Sequence, residues 1–543
     1  MTPAAQEKHG FFRSAGVVSA AVAASRVTGL VREMLMARLF GAGIAYDSFL
    51  LGFRIPNLTR DLFAEGALSS AFVPIFTRYL STKGKREAAE LSNLVATALI
   101  LVVGALCILG MIFSPQLVTL LAPGYAKVPG KAELSVLLTR IMFPFLVLVA
   151  LAAQAMGALN ACGRFGVPAL SSTFFNIGSV VVGLALGFTV GRRLDQGLIV
   201  CMACGVVAGG ALQLLWQIPA MYRAGFAFRP RLDFRHPGLR EIFLLMLPAF
   251  VGNAATQINV MVNTNLASSL TDAAGNVING SVSWLGYAFR FMQLPLGLFG
   301  VAIASATLPA ISRNAALERM DDFRDTLAHS LGTVLLLTIP SSIGLAVMGE
   351  SMIAAVYQWG RFTVFDTHQT ALALACYSAG LAGYSATKVL APAFYALNSA
   401  RMPMLVSLGS IAMNLCGAFA LVKWAGMGHA GLALSTSVVA LAGSATLFLL
   451  MRARLGRLHG RRLVRGAAKI LAAALIMGVA CRASSYAVHT VLGSGKGAQL
   501  ADVAVSIPFG AAVFYFAASL FRVEELESVR RAVLHFLKEC SPT

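Results

Sequence analysis

The sequence predicts an all-α polytopic membrane protein. About 14 transmembrane helices are expected, as two parallel-repeat six-helix lobes around a central cavity plus two C-terminal helices. Three observations predict it. The 543-residue chain is 57% hydrophobic and only 12% charged, where a soluble protein carries about 25% charged residues. Its 43 Lys and Arg against 23 acids fall mostly in short linkers between apolar runs. That is the pattern of membrane orientation rather than of nucleic-acid binding, so no nucleic-acid partner is expected. Finally, sequence words recur at a nearly constant offset.

A bilayer core takes about 20 apolar residues per helix. The first apolar run, near 12–37, follows a polar stretch without a small-residue cleavage site, so it reads as a retained helix and not a signal peptide. The second, near 44–77, is too long for one straight crossing. Pro56 is expected to kink it, and its end to run into the cytoplasm. Runs near 93–114, 134–159, 168–190 and 197–220 complete the first six. Those near 241–265, 284–311, 326–349, 369–397, 404–423 and 430–450 make the second six, and 467–485 and 503–521 follow. The domains expected are therefore 1–225, 226–455 and 456–543.

The linkers alternate in charge. One set, with both termini, includes RYLSTKGKRE and MRARLGRLHGRRLVRGAAK and holds 27 Lys and Arg; the other, including SPQLVTLLAPGYAKVPGKAE, holds 7. The positive-inside rule makes the first set cytoplasmic and places both chain ends there.

GALNACGRFGVPAL (157–170) resembles YALNSARMPML (395–405), and AFVPIFTRY (71–79) resembles ATLPAISRN (306–314). The offsets, 238 and 235, agree closely. Asn160 and Asn176 recur likewise as Asn398 and Asn414. Six spans separate the equivalents, so both halves share one orientation: a parallel repeat about the membrane normal, a transporter plan with its site between halves.

The spans hold cations that such segments normally exclude. An arginine near a helix centre costs about 2.5–3.5 kcal/mol on insertion scales. Within SRVTGLVRE (25–33), Arg26 and Glu33 share a helical stripe and Arg32 lies about 120° round. In the second run Asp47, Arg54 and Asp61 recur every seven residues and Glu65 follows; these four are candidates for gating or ion pairing. With a 1.5 Å rise per residue, Arg26 and Arg54 sit near mid-depth, with Arg32 and Arg60 about 9 Å away along their helices. Arg290, in YAFRFMQLP, reaches a similar zone. Counted with Glu33, Asp47, Asp61 and Glu65, the zone keeps a net positive charge. A planar guanidinium fork suits phosphate oxygens.

Other signals are weak. Lys388 and Arg140 fit helix anchors or cavity lining equally well. Gln257, Asn259 and Asn263 give the seventh run a polar face, suited to a cavity wall or to interhelical hydrogen bonds. His489 reads as interfacial. GSGKGA (493–498) lacks the upstream glycine and the Ser or Thr of a phosphate loop. Cys201-x-x-Cys204 has no second ligand pair, and the cysteines read as packing residues. No metal site is expected.

SRVTGLVRE followed by ARLFGAGIAYDSFLLGFRIPNLTRDLFAEGALSSAFVPIF resembles the MurJ-type (MviN) lipid II flippases of the multidrug/oligosaccharidyl-lipid/polysaccharide exporter superfamily. SVSWLGYAFRFMQLPLGLFGVAIASATLP, QWGRFTVFDT and KVLAPAFYALNSARMP extend the likeness over nearly the whole chain. The resemblance implies a non-enzymatic transporter of the bacterial cytoplasmic (inner) membrane. It would carry lipid II, the polyprenyl-diphosphate disaccharide-pentapeptide of peptidoglycan synthesis, between leaflets by alternating access. It implies that Arg26, Arg32, Arg60 and Arg290 engage the headgroup, that Asp47 and Glu65 hold further functional positions, and that the last two helices form a groove for the polyprenyl tail. The implied partners are lipid II and membrane lipids, with other cell-wall synthesis proteins as candidates.

Two departures from the family pattern matter. Phe289 stands where many relatives have an acid, leaving Arg290 more available. Ala418 stands one turn after Asn414, where sodium-binding members place a carboxylate. No cofactor or sodium site is therefore expected, and transport is expected to draw on membrane potential or an ion gradient. Three other readings are weighed: a flippase for another polyprenyl-diphosphate-linked glycan, a cation-coupled drug exporter, and a membrane transferase. A drug exporter calls for an acidic cavity, and a transferase for external carboxylates or a nucleotide site.

Overall fold

In hydrocarbon a chain satisfies its backbone polar groups only within helices or closed barrels, and each of the fourteen expected runs contains helix. The computed structural model describes the backbone of residues 3–60, 68–191, 196–456, 458–527 and 530. Side chains are described except those of 3–19, 59, 60, 69, 70, 247–253, 255 and 256. Among the described residues, ten segments are long and apolar enough to cross a membrane by length and composition. The chain divides into two compact units, Met1–Gly280 and Ser281–Thr543.

The first unit contains α1 (Pro3–Phe40), α2 (Ile44–Arg60), α3 (Ser69–Thr82), α4 (Lys85–Ile112), α5 (Ser114–Leu121), α6 (Lys131–Met142), α7 (Phe145–Ala161), α8 (Gly166–Thr189), α9 (Gly197–Leu215), α10 (Ile218–Ala224) and α11 (Pro237–Ser268). Pro56 lies inside α2. Phe72, Phe76, Leu91, Val95, Leu159 and Phe226 form its main buried cluster.

The second unit contains α12 (Ser281–Pro295), α13 (Ala302–Ala316), α14 (Met320–Tyr357), α15 (Val364–Ser378), α16 (Leu381–Ala396), α17 (Arg401–Phe419), α18 (Gly428–Leu455), α19 (Gly460–Leu492) and α20 (Lys496–Leu520). A π-helical turn, Leu296–Val301, joins α12 to α13. Phe323, Val334, Val389, Phe394, Leu447 and Met451 form this unit's core. The α19–α20 pair packs on α14 through Leu336, Ile470, Ala473, Ala517 and Ala518. The repeat read from the sequence has a counterpart in the helix starts. Lys85 of α4 and Met320 of α14 are 235 residues apart, as are Gly166 of α8 and Arg401 of α17.

The close contact between α8 and α9 depends on absent side chains. Small residues let helices approach where no hydrophobic effect drives them together in lipid. A Cβ at Gly205 of α9 would lie 2.3 Å from the Ser179 carbonyl oxygen of α8, and one at Gly209 would lie 2.5 Å from the Phe175 carbonyl. Gly205→Ala is expected to destabilise the protein by about 1–3 kcal/mol, because backbone must shift to admit the methyl. Gly104 of α4 has open space around it, so Gly104→Ala should stay within about 0.5 kcal/mol of wild type. Thermal unfolding of the detergent-solubilised chain compares them.

Candidate functional site

The first unit sets its charged residues through side chains on neighbouring helices. On α1, Thr28 donates back to the Ala24 carbonyl at 2.8 Å. Asn176 of α8 donates to the Ser25 carbonyl at 3.2 Å and to the Thr28 hydroxyl at 3.3 Å. These bonds fix the rotation of α1 on α8. One turn on, the Arg32 guanidinium lies over the Phe175 ring, 5.3 Å from its centroid. That cation–π contact offsets part of the guanidinium's desolvation. Arg32 is half-buried and Glu33 buried, whereas Arg26 is exposed beside the exposed Val22, Val27 and Leu30.

On α2, Arg54 donates to the hydroxyl of Thr264 on α11. Seven residues earlier Asp47 accepts from the Lys131 ammonium at 2.8 Å and from the Gly280 amide at 2.8 Å. Lys131 also donates to Asn279 at 2.9 Å and stands 4.1 Å over the Tyr125 ring. Lys131 is 0% and Asp47 1% exposed. Lys131 thus corrects the sequence reading, which counted it among linker cations. The side chain of Arg60 lies outside the described residues, as do Asp61 and Glu65.

In the second unit, α12 buries Trp284, Tyr287, Ala288 and Phe291, a stripe at helical spacing. Trp284 donates to Asp366 at 2.9 Å, and Asp366 with Thr363 forms the capping box that begins α15. Tyr287 packs on Tyr357 with ring centroids 4.6 Å apart. Held by this face, α12 leaves Arg290 exposed. Phe289, the departure from the family's acid, meets Tyr377 edge-on at 5.4 Å.

Asn414 accepts from Ser435 of α18 at 3.2 Å, and Ala418 is wholly buried. Arg140 donates to the Met111 carbonyl at 3.2 Å and to Ser114 at 2.9 Å, so it anchors α6 to the α4–α5 junction. Sequence reasoning also missed Asp502, fully buried on α20. It accepts from Ser485 and from Ser506, each at 2.7 Å. His489, expected at an interface, comes within 3.4 Å of that carboxylate. The signal available was an acid less than two helical turns beyond Lys496, opposite a Ser-rich stretch of α19.

The structure therefore seats Arg32 and Arg54 on polar or aromatic neighbours within the first unit, and presents Arg26 and Arg290 at the surfaces of their own units. Such groups can bind an anion.

Comparison with known proteins gives a consistent result. The family model described as "Lipid II flippase MurJ" matches residues 36–495. The probable lipid II flippase MurJ of Vibrio cholerae is 34% identical over 443 residues, 80% of this chain and 82% of that protein. The lipid II flippase MurJ of Burkholderia cenocepacia is 34% identical over 447 residues, covering 82% and 84%. A solved lipid II flippase MurJ in an inward closed conformation aligns with TM-score 0.74 at 26% identity, over 93% of this chain and 98% of that one. An inward-facing multidrug MATE transporter aligns with TM-score 0.67 at 13% identity, over 80% and 96%, a likeness of fold alone.

Proposed function

The chain belongs to the lipid II flippase MurJ family, and on that premise we propose that it carries lipid II from the cytoplasmic to the periplasmic leaflet of the bacterial inner membrane by alternating access. Arg26, Arg32 and Arg60 of the first unit and Arg290 of the second take up the diphosphate and sugar headgroup, while the polyprenyl tail stays in lipid. Asp47, Arg54, Asp61 and Glu65 set helix positions or gate the movement. No covalent step is involved, and both termini lie in the cytoplasm, on the side of the basic linkers.

The observation that carries this reading is Arg290. It is exposed within Ser281–Ala316, a segment of membrane-crossing length and composition. A guanidinium there is too costly to leave in hydrocarbon. The exposed guanidinium fork of Arg290 suits an anionic headgroup, and a diphosphate supplies the anion. The same arithmetic explains why the substrate needs a protein: a diphosphate cannot cross hydrocarbon unaided.

The test is complementation. A strain depleted of its own flippase and supplied with this chain should regain lipid-linked disaccharide accessible from outside. If the disaccharide stays inaccessible while the protein is present in the membrane, the reading fails. Transport draws on membrane potential or an ion gradient other than sodium, a reading supported by the buried Ala418 beside the Asn414–Ser435 contact. Replacing sodium with choline should leave the flipping rate unchanged in proteoliposomes, and dissipating the potential and proton gradient should lower it.

A further inference from the structure

The linker MRARLGRLHGRRLVRGAAK entered the sequence reading only as an orientation signal. In the structure, described residues of this stretch line a recess of about 860 Å³. Six cations line it: Arg452 of α18, Arg461, Arg462, Arg465 and Lys469 of α19, and Arg522 beyond α20. Arg461, Arg465 and Lys469 follow at four-residue steps, so a single stripe of α19 stacks three like charges that repel one another.

The carboxylates nearby are fewer. Glu524 pairs with Arg462 at 2.6 Å. Glu525 lies against Gly466, and Asp325 pairs with His459 at 2.9 Å. Six cations thus face two lining carboxylates, and α19 begins here with the positive end of its dipole.

A second recess of about 430 Å³ adjoins the first and shares Arg452; Leu449, Ala453 and Gly456 complete it. Leu449 is exposed there, as are Val464, Leu471 and Leu475 along α19. Val464 sits between Arg461 and Arg465, so bare hydrocarbon surface and concentrated positive charge meet within one turn. A soluble anion would use only the charged part. An amphiphile uses both.

We propose that this recess binds the phosphate headgroup of an anionic membrane lipid, with its acyl chains along Leu449 and Ala453. The site is separate from the arginines assigned to lipid II above. It would fasten the ends of α18, α19 and α20 to the membrane surface, where each basic side chain adds to the attraction for an anionic lipid.

The test is native mass spectrometry of the full chain in detergent, titrated with phosphatidylglycerol and with phosphatidylcholine of the same acyl chains. Wild type should prefer the anionic lipid by about tenfold or more. Arg461→Gln/Arg465→Gln/Lys469→Gln should abolish the preference, and Arg461→Lys/Arg465→Lys should keep most of it. Equal melting temperatures establish that the variants fold. Inorganic diphosphate should not displace the lipid. Equal lipid preference in wild type and the triple Gln variant would overturn the proposal, as would diphosphate binding without any lipid preference. A polyprenyl-diphosphate competitor that displaces phosphatidylglycerol would also overturn it, by making the recess a second station for the substrate. The readout is binding, so it stands or falls apart from the flipping assay.

Discussion

Arg290→Ala is expected to abolish flipping while the protein still accumulates in the membrane, and Arg290→Lys is expected to restore only part of the activity. The residue is exposed on α12, and the face that holds the helix is built from Trp284, Tyr287, Ala288 and Phe291 instead. Its removal should therefore change stability by no more than about 0.5 kcal/mol, as for most surface substitutions. Its loss to the headgroup is larger. Hydrogen bonds to charged groups contribute about 1.5–3 kcal/mol each, so each bond from the guanidinium to a diphosphate accounts for roughly ten- to two-hundred-fold in affinity. Lysine retains the charge but not the planar pair of donors. Arg26→Ala and Arg32→Ala should behave alike, with Arg32→Ala also losing the Phe175 contact. External accessibility of lipid-linked disaccharide in complemented cells, set against protein level by immunoblot, measures both quantities. Full peptidoglycan synthesis in all three alanine variants would remove these residues from the headgroup site.

The fold was legible because membrane helices announce themselves. Length, apolarity and the charge of the linkers are enough to place fourteen runs, since lipid leaves the backbone no other conformation. Breaks within runs were not legible. The α6–α7 junction falls at Phe143–Pro144 and the α15–α16 junction at Ala379–Gly380. In each case hydrophobicity continues across the break, and hydropathy cannot distinguish a bent helix from a straight one.

The site was legible in part, for a related reason. A cation in an apolar run stands out against its neighbours, so Arg26, Arg32, Arg54 and Arg290 drew attention at once. Lys131 did not, because it sits among polar linker residues and only tertiary packing buries it against Tyr125 and Asp47. Asp502 was hidden likewise, at the edge of the last run. The glycine contacts of α8 and α9 could have been read from the G-x-x-x-G spacing of Gly205 and Gly209, a known sign of close helix approach.

The second large effect is on stability. Lys131→Met is expected to destabilise the protein by about 3–5 kcal/mol, the usual consequence of leaving one member of a buried ion pair without the other. Here the stranded group is the Asp47 carboxylate, which keeps the Gly280 amide but loses the ammonium that offset its desolvation. Asp47→Asn should cost less, because an amide oxygen can still accept from Gly280 and from Lys131, which also has Asn279 and the Tyr125 ring. Combining Asp47→Asn with Lys131→Met removes both charges and should recover much of the loss. The double-mutant cycle should then return a coupling of about 1–3 kcal/mol. Thermal unfolding of the four proteins in one detergent measures it. A Lys131→Met variant as stable as wild type would mean that the pair does not hold α2, α6 and the Asn279–Gly280 segment together. The same measurement separates two roles for Asp47. If the double variant is stable and flips at the wild-type rate, the pair is purely structural. If it is stable and flips slowly, charge at Asp47 serves the movement itself.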